Sequence, residues 1–155
     1  MSARVLLVPY DSGRFNERMG RGPRHLLESA IRPLLDRLGH RFSVEEITLN
    51  EPFTAEIRAA FRLCAIVSER VRACLAEGSF PIVLSGNCIT AVGTISGCDE
   101  ANVLWFDAHG EATTPDTTTS GFLDGMGISV LTGQCWKTLA SSIPGFEPMP
   151  GDAFL

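Results

Sequence analysis

The residues richest in chemistry are Asp107-Ala108-His109-Gly110-Glu111, placed directly after the apolar run Val103-Leu104-Trp105-Phe106. Two carboxylates and an imidazole at alternate positions are the donor types that hold a hard or borderline divalent cation such as Mn²⁺, Fe²⁺ or Zn²⁺. Residues i, i+2 and i+4 of a strand share one face. Asp107, His109 and Glu111 are therefore expected to converge on one point, with Ala108 and Gly110 leaving room for it. Metal-assisted hydrolysis is the chemistry that such a cluster performs. The bland reading is a polar strand end capped by loop amides. A second segment, Ser85-Gly86-Asn87-Cys88, also follows an apolar run. Cys88 there reads either as a packing residue at a helix N-terminus, its thiol pKa lowered, or as a softer ligand.

The elements that must position these residues alternate in type. Arg4–Tyr10 is a continuous apolar run, the mark of a strand buried on both faces, and a polar loop rich in Gly and Arg fills 11–23. Leu27, Ile31, Leu34 and Leu38 recur at spacings of four, three and four, which predicts a helix ended by Gly39. Arg41–Ile47 alternates weakly as a second strand. Thr54 is the expected N-cap of a long helix to about Glu77, with Ile57, Ala60, Cys64, Val67, Val71 and Cys74 as its buried stripe. Phe80–Leu84 and Val103–Phe106 read as the third and fourth strands, with a short helix through about Ser96 between them. A Thr-rich loop spans 112–120, a helix is expected over Gly125–Leu131, and Ala140–Gly151 is irregular. Ala153-Phe154-Leu155 reads as the opening of another strand. This order predicts a three-layer α/β/α domain with a mostly parallel sheet, in which ligands gather beyond the carboxyl ends of the strands. A flavodoxin- or Rossmann-type cofactor domain ranks below it, because no Gly-x-Gly-x-x-Gly follows the first strand.

The 155 residues fit one domain, and a formal net charge of -5 argues against nucleic-acid and anionic-membrane partners. No apolar run approaches the roughly 18 residues of a membrane span. Five cysteines without a C-x-x-C pair predict reduced thiols and a cytoplasmic location. Cys64, Cys74, Cys98 and Cys135 read as space-filling. His25 and His40 read as a solvated face and a helix C-terminus, and Arg14, Arg18, Arg21 and Arg24 as solvated loop charges.

Trp105 through Pro115, followed by Thr117-Thr118-Thr119-Ser120-Gly121, resembles the second metal motif of the arginase/agmatinase/formiminoglutamase (ureohydrolase) family. The correspondence continues to Asp124-Gly125-Met126. Val8-Pro9-Tyr10-Asp11-Ser12-Gly13 with Gly22-Pro23 resembles the family's first strand and loop, and Pro81 through Cys88 its Gly-Gly-Asp-His strand end. The resemblance implies an arginase-like fold, a Mn²⁺ site and hydrolysis of a C–N bond in a small guanidino or amidino substrate. By position it implies Asp107, His109 and Glu111 as metal ligands, Thr113 and Ser120 as substrate contacts, and Asp124 at the place of a proton-shuttling His. Without the resemblance, Asp124 reads as a helix N-cap.

The departures are equally specific. Cys88 and Asn87 replace a metal-binding His and a carboxylate, and Cys88 as a ligand shifts preference toward Zn²⁺, Fe²⁺, Co²⁺ or Ni²⁺. Glu111 is one methylene longer than the family's Asp. Thr113 stands where arginases carry an Asn, and Phe122 replaces another polar contact. The family's later Asp-x-Asp motif is expected beyond Leu155. The reading is thus a single arginase-like domain over 1–155 lacking the family's C-terminal part, completed by a homo-oligomer or a partner chain. The competing hypothesis is a non-catalytic arginase-like subunit that acts through assembly.

Overall fold

The computed structural model describes residues 2–154 and is organised around its first strand, β1 (Ser2–Val8). Val5, Leu6, Leu7 and Val8 are all buried, and alternate residues face opposite ways. Val5 and Leu7 pack with Leu27 and Leu35 on one side. Leu6 and Val8 pack with Ile47, Leu63, Val67 and Val71 on the other. A strand apolar on both faces needs a covering layer on each, and the chain supplies one helical layer per face.

After β1 comes a two-stranded antiparallel hairpin, β2 (Tyr10–Asp11) and β3 (Arg14–Phe15), then a 3₁₀ turn over Arg18–Arg21. The four arginines of this region are used within the protein. Arg14 lies 4.4 Å over the Phe53 ring, Arg18 meets Asp11 at 3.0 Å, Arg21 donates to the Asn16 carbonyl at 3.3 Å, and Arg24 pairs with Glu46 at 2.7 Å. The first helical run begins earlier than the Leu spacing predicts: α1 (Gly22–Leu26) opens on Pro23 and continues through a π turn (Leu27–Ile31) into α2 (Arg32–Arg37). Proline suits a first helical turn, which explains the early start. Pro33 cannot donate to the preceding turn, and the wider π turn sits where that bond is missing. Gly39, at φ +69°, ends the run as expected.

β4 (Arg41–Glu46) and β5 (Ser79–Ser85) flank β1 in parallel, in the order β4-β1-β5, with Ser2 opposite both Arg41 and Ser79. Between them runs α3 (Glu56–Ala76), whose buried face holds Ala60, Cys64, Val67, Val71 and Cys74 of the expected stripe, with Ile57 only partly buried at its start. Thr54 does not cap it. The chain is pinned at Phe53 beneath Arg14, and extended Ala55 precedes the first turn. α4 (Thr90–Ser96) packs on α3 at Gly93, where an added Cβ would collide with the Cys64 backbone. A 3₁₀ turn (Leu123–Met126), α5 (Gly127–Leu131) and α6 (Lys137–Ala140) complete a second core in which Val92, Val130 and Leu131 are almost wholly buried. Each such side chain contributes about 1.5–3 kcal/mol through burial.

The expected fourth strand is the main difference. Val103–Phe106 makes only an isolated parallel bridge, Val103 to Phe154, and Leu104 and Phe106 are 66% and 93% exposed. The expected strand over 153–155 is reduced to that bridge after a short 3₁₀ turn (Gly151–Ala153), and Leu155 lies outside the described residues. The reason is the lack of a neighbour. Among the described residues, β5 pairs only with β1. Gly86 donates to the Val8 carbonyl at 3.4 Å, so alternation turns the backbone of Pro81, Val83 and Ser85 away from β1. Pro81 falls at one of these outward positions, where its missing N–H removes no ladder bond. A cavity of about 460 Å³ separates this free edge from Val103–Asp107.

Candidate metal centre

The centre forms where the loop after β5, the turn after Phe106 and the approach to α5 meet. Gly86 lets the first of these loops press against the Tyr10 and Gly20 backbone, where an added Cβ would collide. Asn87 then ties three segments together. Its Oδ1 accepts the Ser12 N–H at 3.0 Å, and its Nδ2 donates to Asp124 Oδ2 at 2.7 Å. The other oxygen of Asp124 accepts the Ile89 N–H at 3.1 Å. Cys88 therefore sits between two residues that one buried carboxylate holds in place.

Asp107 is shaped by its own turn. Its Oδ1 accepts the His109 N–H at 2.9 Å, and this bond leads in holding the carboxyl below its ordinary range. Glu111 adopts φ +46°, a left-handed conformation rarely taken by a residue with a long side chain. Such local strain costs on the order of 1–3 kcal/mol and is concentrated at functional sites. It is held by packing and by the Glu111 carbonyl, which accepts the Ile128 N–H at 2.8 Å.

The result is a compact donor set. Cys88, Asp107 and Glu111 each present one donor atom, and the three lie within 4.8 Å of one another. Cys88 Sγ is 3.9 Å from Asp107 Oδ2. Asp107 and Glu111 meet through a tight turn, not through strand alternation. His109 stands at the rim, 81% exposed, with Nδ1 3.3 Å from Asp107 Oδ1 and 3.9 Å from Glu111 Oε1. Asn87 is the residue that sequence reasoning passed over as a mere substitution; its place directly after a strand-ending Gly was the available signal.

The electrostatics of this pocket call for positive charge. Glu111 is 6% exposed, and its Oε2 is buried with no hydrogen-bond partner. Burial and the charges of Asp107 and Asp124 push its carboxyl above the ordinary value. Cys88 shows the same field: desolvation first, then Asp124, Glu111 and Asp107, push its thiol up to about 11. The expected lowering of that thiol by a helix N-terminus is not found, because desolvation, joined by three carboxylates, pushes it the other way. An unpartnered buried carboxylate oxygen is costly unless a cation or donor meets it. Metal–donor bonds of about 2.0–2.3 Å bring three ligands of one ion within reach of the spacing found here, so the residues fit a single divalent cation.

The remaining expected site residues have local roles. Thr113 donates its hydroxyl to the Gly125 carbonyl at 2.6 Å, beside the Thr113 N–H bond to the same oxygen at 3.0 Å. Ser120 Oγ accepts the Phe122 N–H at 3.2 Å. Asp124 is 7% exposed with both oxygens engaged, so its hydrogen bonds serve the loop that carries Cys88. The cysteines are free, and Cys64, Cys74 and Cys135 are buried as expected for filler. Among the described residues, no helix is long and apolar enough to cross a membrane.

A parallel sheet between helical layers, with this motif at its carboxyl end, defines an α/β protein of the ureohydrolase type. The arginase family model matches residues 1–143, and the chain belongs to the arginase family. It is 28% identical to the arginase of Bacillus subtilis over 160 residues, covering 93% of this chain and 52% of that protein. It is 26% identical to the arginase of Eremothecium gossypii over 163 residues, covering 92% and 41%. The crystal structure of Bacillus subtilis arginase superposes with a TM-score of 0.83 at 24% identity, covering 99% of this chain and 54% of that one. Bacillus caldovelox arginase gives the same TM-score and identity over 99% and 56%. The fold is that of these arginases, and the chain spans about half the length of the relatives it matches.

Proposed function

We propose that this chain forms part of a metal-dependent arginase-family hydrolase acting on a C–N bond of a linear guanidino or amidino compound. The observation that carries this reading is the convergence of Cys88, Asp107 and Glu111 around the buried, unpartnered Oε2 of Glu111. A divalent cation bound there supplies charge that lowers the pKa of water and polarises the group under attack. Asp107 and Glu111 would hold it, with His109 and Cys88 as the further candidate ligands. Mn²⁺ is the ion the family resemblance implies. Asp124 and Asn87 hold the Cys88 loop in register with Asp107. By the family resemblance Thr113 and Ser120 are candidate substrate contacts, Ser120 with its hydroxyl proton free of any donor role among the described hydrogen bonds. Reduced cysteines support a cytoplasmic setting.

Three or four ligands suffice for a single four-coordinate cation; an ion that takes about five or six draws further donors from solvent, substrate or an assembled partner. The free edge of β5 and the exposed Leu104 and Phe106, which border the same cavity as Cys88 and Asp107, support an assembly surface there. The test combines elemental analysis of the purified chain with a urea-release and ammonia-release screen over guanidino and amidino compounds. Bound metal that is lost in Asp107→Ala, together with turnover, supports the reading. Metal retained unchanged in Asp107→Ala and Glu111→Ala refutes the ligand assignment. A second reading, a non-catalytic subunit acting through assembly, is favoured by the closed hydrogen bonding of Asp124, which leaves that carboxylate no free oxygen for proton transfer. Metal binding without turnover in any assembled state supports it.

A further inference from the structure

We infer that this centre selects one thiophilic divalent cation of the Zn²⁺ or Co²⁺ class, bound through Cys88 Sγ, in place of the Mn²⁺ that the family resemblance implies. The inference rests on the reading of Cys88, Asp107 and Glu111 as a metal centre and concerns which ion that centre takes. Its first support is the donor set itself, one sulfur and two carboxylates, with donor atoms mutually within 4.8 Å. Thiolate ligands favour Zn²⁺ and its borderline neighbours, whereas Mn²⁺ prefers an all-oxygen or imidazole-rich octahedron.

The second support is that the backbone carrying the sulfur is anchored beside Asp107. Asn87 and Ile89, on either side of Cys88, are both bonded to the two oxygens of Asp124 at 2.7 and 3.1 Å. The next turn is closed by the Ala91 N–H bond to the Cys88 carbonyl at 2.9 Å. Moving the Cys88 backbone away from Asp107 would require breaking this anchorage, so Sγ stays within one side-chain rotation of the two carboxylates.

The third support is independent of the cysteine. Glu111 Oε2 is buried and unpartnered beside the other donors, which leaves one ligand position ready inside the protein. With Asp107 and Cys88 this makes three protein ligands. Three ligands and one open position are the arrangement of a four-coordinate zinc-type site, and they are only half of an octahedron. The rim position of His109, Nδ1 3.9 Å from Glu111 Oε1, lies on the open side.

The test is optical and does not depend on turnover. Metal-free chain is titrated with Co²⁺ under anaerobic conditions, then challenged separately with Zn²⁺ and with Mn²⁺. The expected result is a thiolate-to-cobalt charge-transfer band in the near ultraviolet that saturates at one equivalent. Zn²⁺ abolishes the band, and equal Mn²⁺ leaves it. In Cys88→Ser the band is absent and Zn²⁺ affinity falls by more than the roughly 100-fold that loss of a merely supporting residue costs. Circular dichroism of that variant checks that it folds, and Glu111→Gln provides a second variant that weakens Co²⁺ binding with the thiol still in place. Cobalt bound without a charge-transfer band, or Mn²⁺ displacing Zn²⁺, overturns the inference while leaving a metal centre in place. No metal bound by the folded chain overturns both.

Discussion

Asn87 and Asp124, 37 positions apart, are joined by a 2.7 Å hydrogen bond from the amide Nδ2 to the carboxylate Oδ2. The same carboxylate takes the buried Ile89 N–H, and the same Asn accepts the Ser12 N–H. One pair thereby fixes the turn between β2 and β3, the loop after β5 and the approach to α5. At the position where the resemblance places a proton carrier, this chain has a clamp.

Breaking the clamp is expected to be costly. Asp124→Ala leaves the Ile89 N–H and the Asn87 amide without their acceptor, and each unsatisfied buried donor costs about 1–3 kcal/mol. Asn87→Ala removes part of the same network, so the double variant should lose less than the sum of the two singles. Urea denaturation of the four proteins measures this. Additive losses would show that the two residues act separately.

Glu111 links the centre to pH. Its folded pKa is raised by burial first and then by Asp107 and Asp124, so the folded state holds its proton more tightly than the unfolded chain does. That contribution to stability is present below the unfolded value of about 4.5 and is lost as pH rises through the folded value. In metal-free protein, Glu111→Gln, which mimics the neutral form, should therefore raise the melting temperature at pH 7. The gain should vanish as pH falls below the unfolded value. In the presence of a tightly bound cation the sign should reverse, because the wild-type carboxylate then gains a partner. Thermal melts with and without chelator decide it; a variant less stable at pH 7 in chelator contradicts the account.

The contact between α3 and α4 depends on the lack of a side chain at Gly93, whose added Cβ would meet the Cys64 backbone. Gly93→Val should destabilise by at least the 1–3 kcal/mol typical of overpacking, since backbone cannot rotate out of the way. Gly22→Ala, at a position with nothing within 4 Å, is the control and should change stability little. Equal losses in the two variants would mean that the helix contact is not what Gly93 serves.

The free edge of β5 and the exposed Leu104 and Phe106 predict association. Light scattering at tens of micromolar should show species above 16.7 kDa. Leu104→Lys with Phe106→Lys should shift the population toward monomer. A monodisperse wild-type monomer at that concentration would argue against this surface.

Much of the fold was legible from local pattern. The run Val5-Leu6-Leu7-Val8 declares a strand buried on both faces, and the recurrence of Ala60, Cys64, Val67, Val71 and Cys74 declares the face that α3 turns inward. Such periods are properties of the chain itself, because side-chain direction repeats every two residues in a strand and every 3.6 in a helix. The residue types at 107, 109 and 111, with their surroundings, likewise announced the family.

Only the tertiary structure decided which of these residues meet. Cys88 joins Asp107 and Glu111 while His109 turns to the rim, because a tight turn and the left-handed Glu111 replace strand alternation. Val103–Phe106 has strand composition but forms one bridge, since a strand is completed by its neighbours and β5 leaves it none. Asp124 looked like a cap or a proton carrier; whether it is either depended on Asn87, which no local pattern places beside it. Contacts across tens of residues are set by how layers pack around a shared core, and that packing has no period to read.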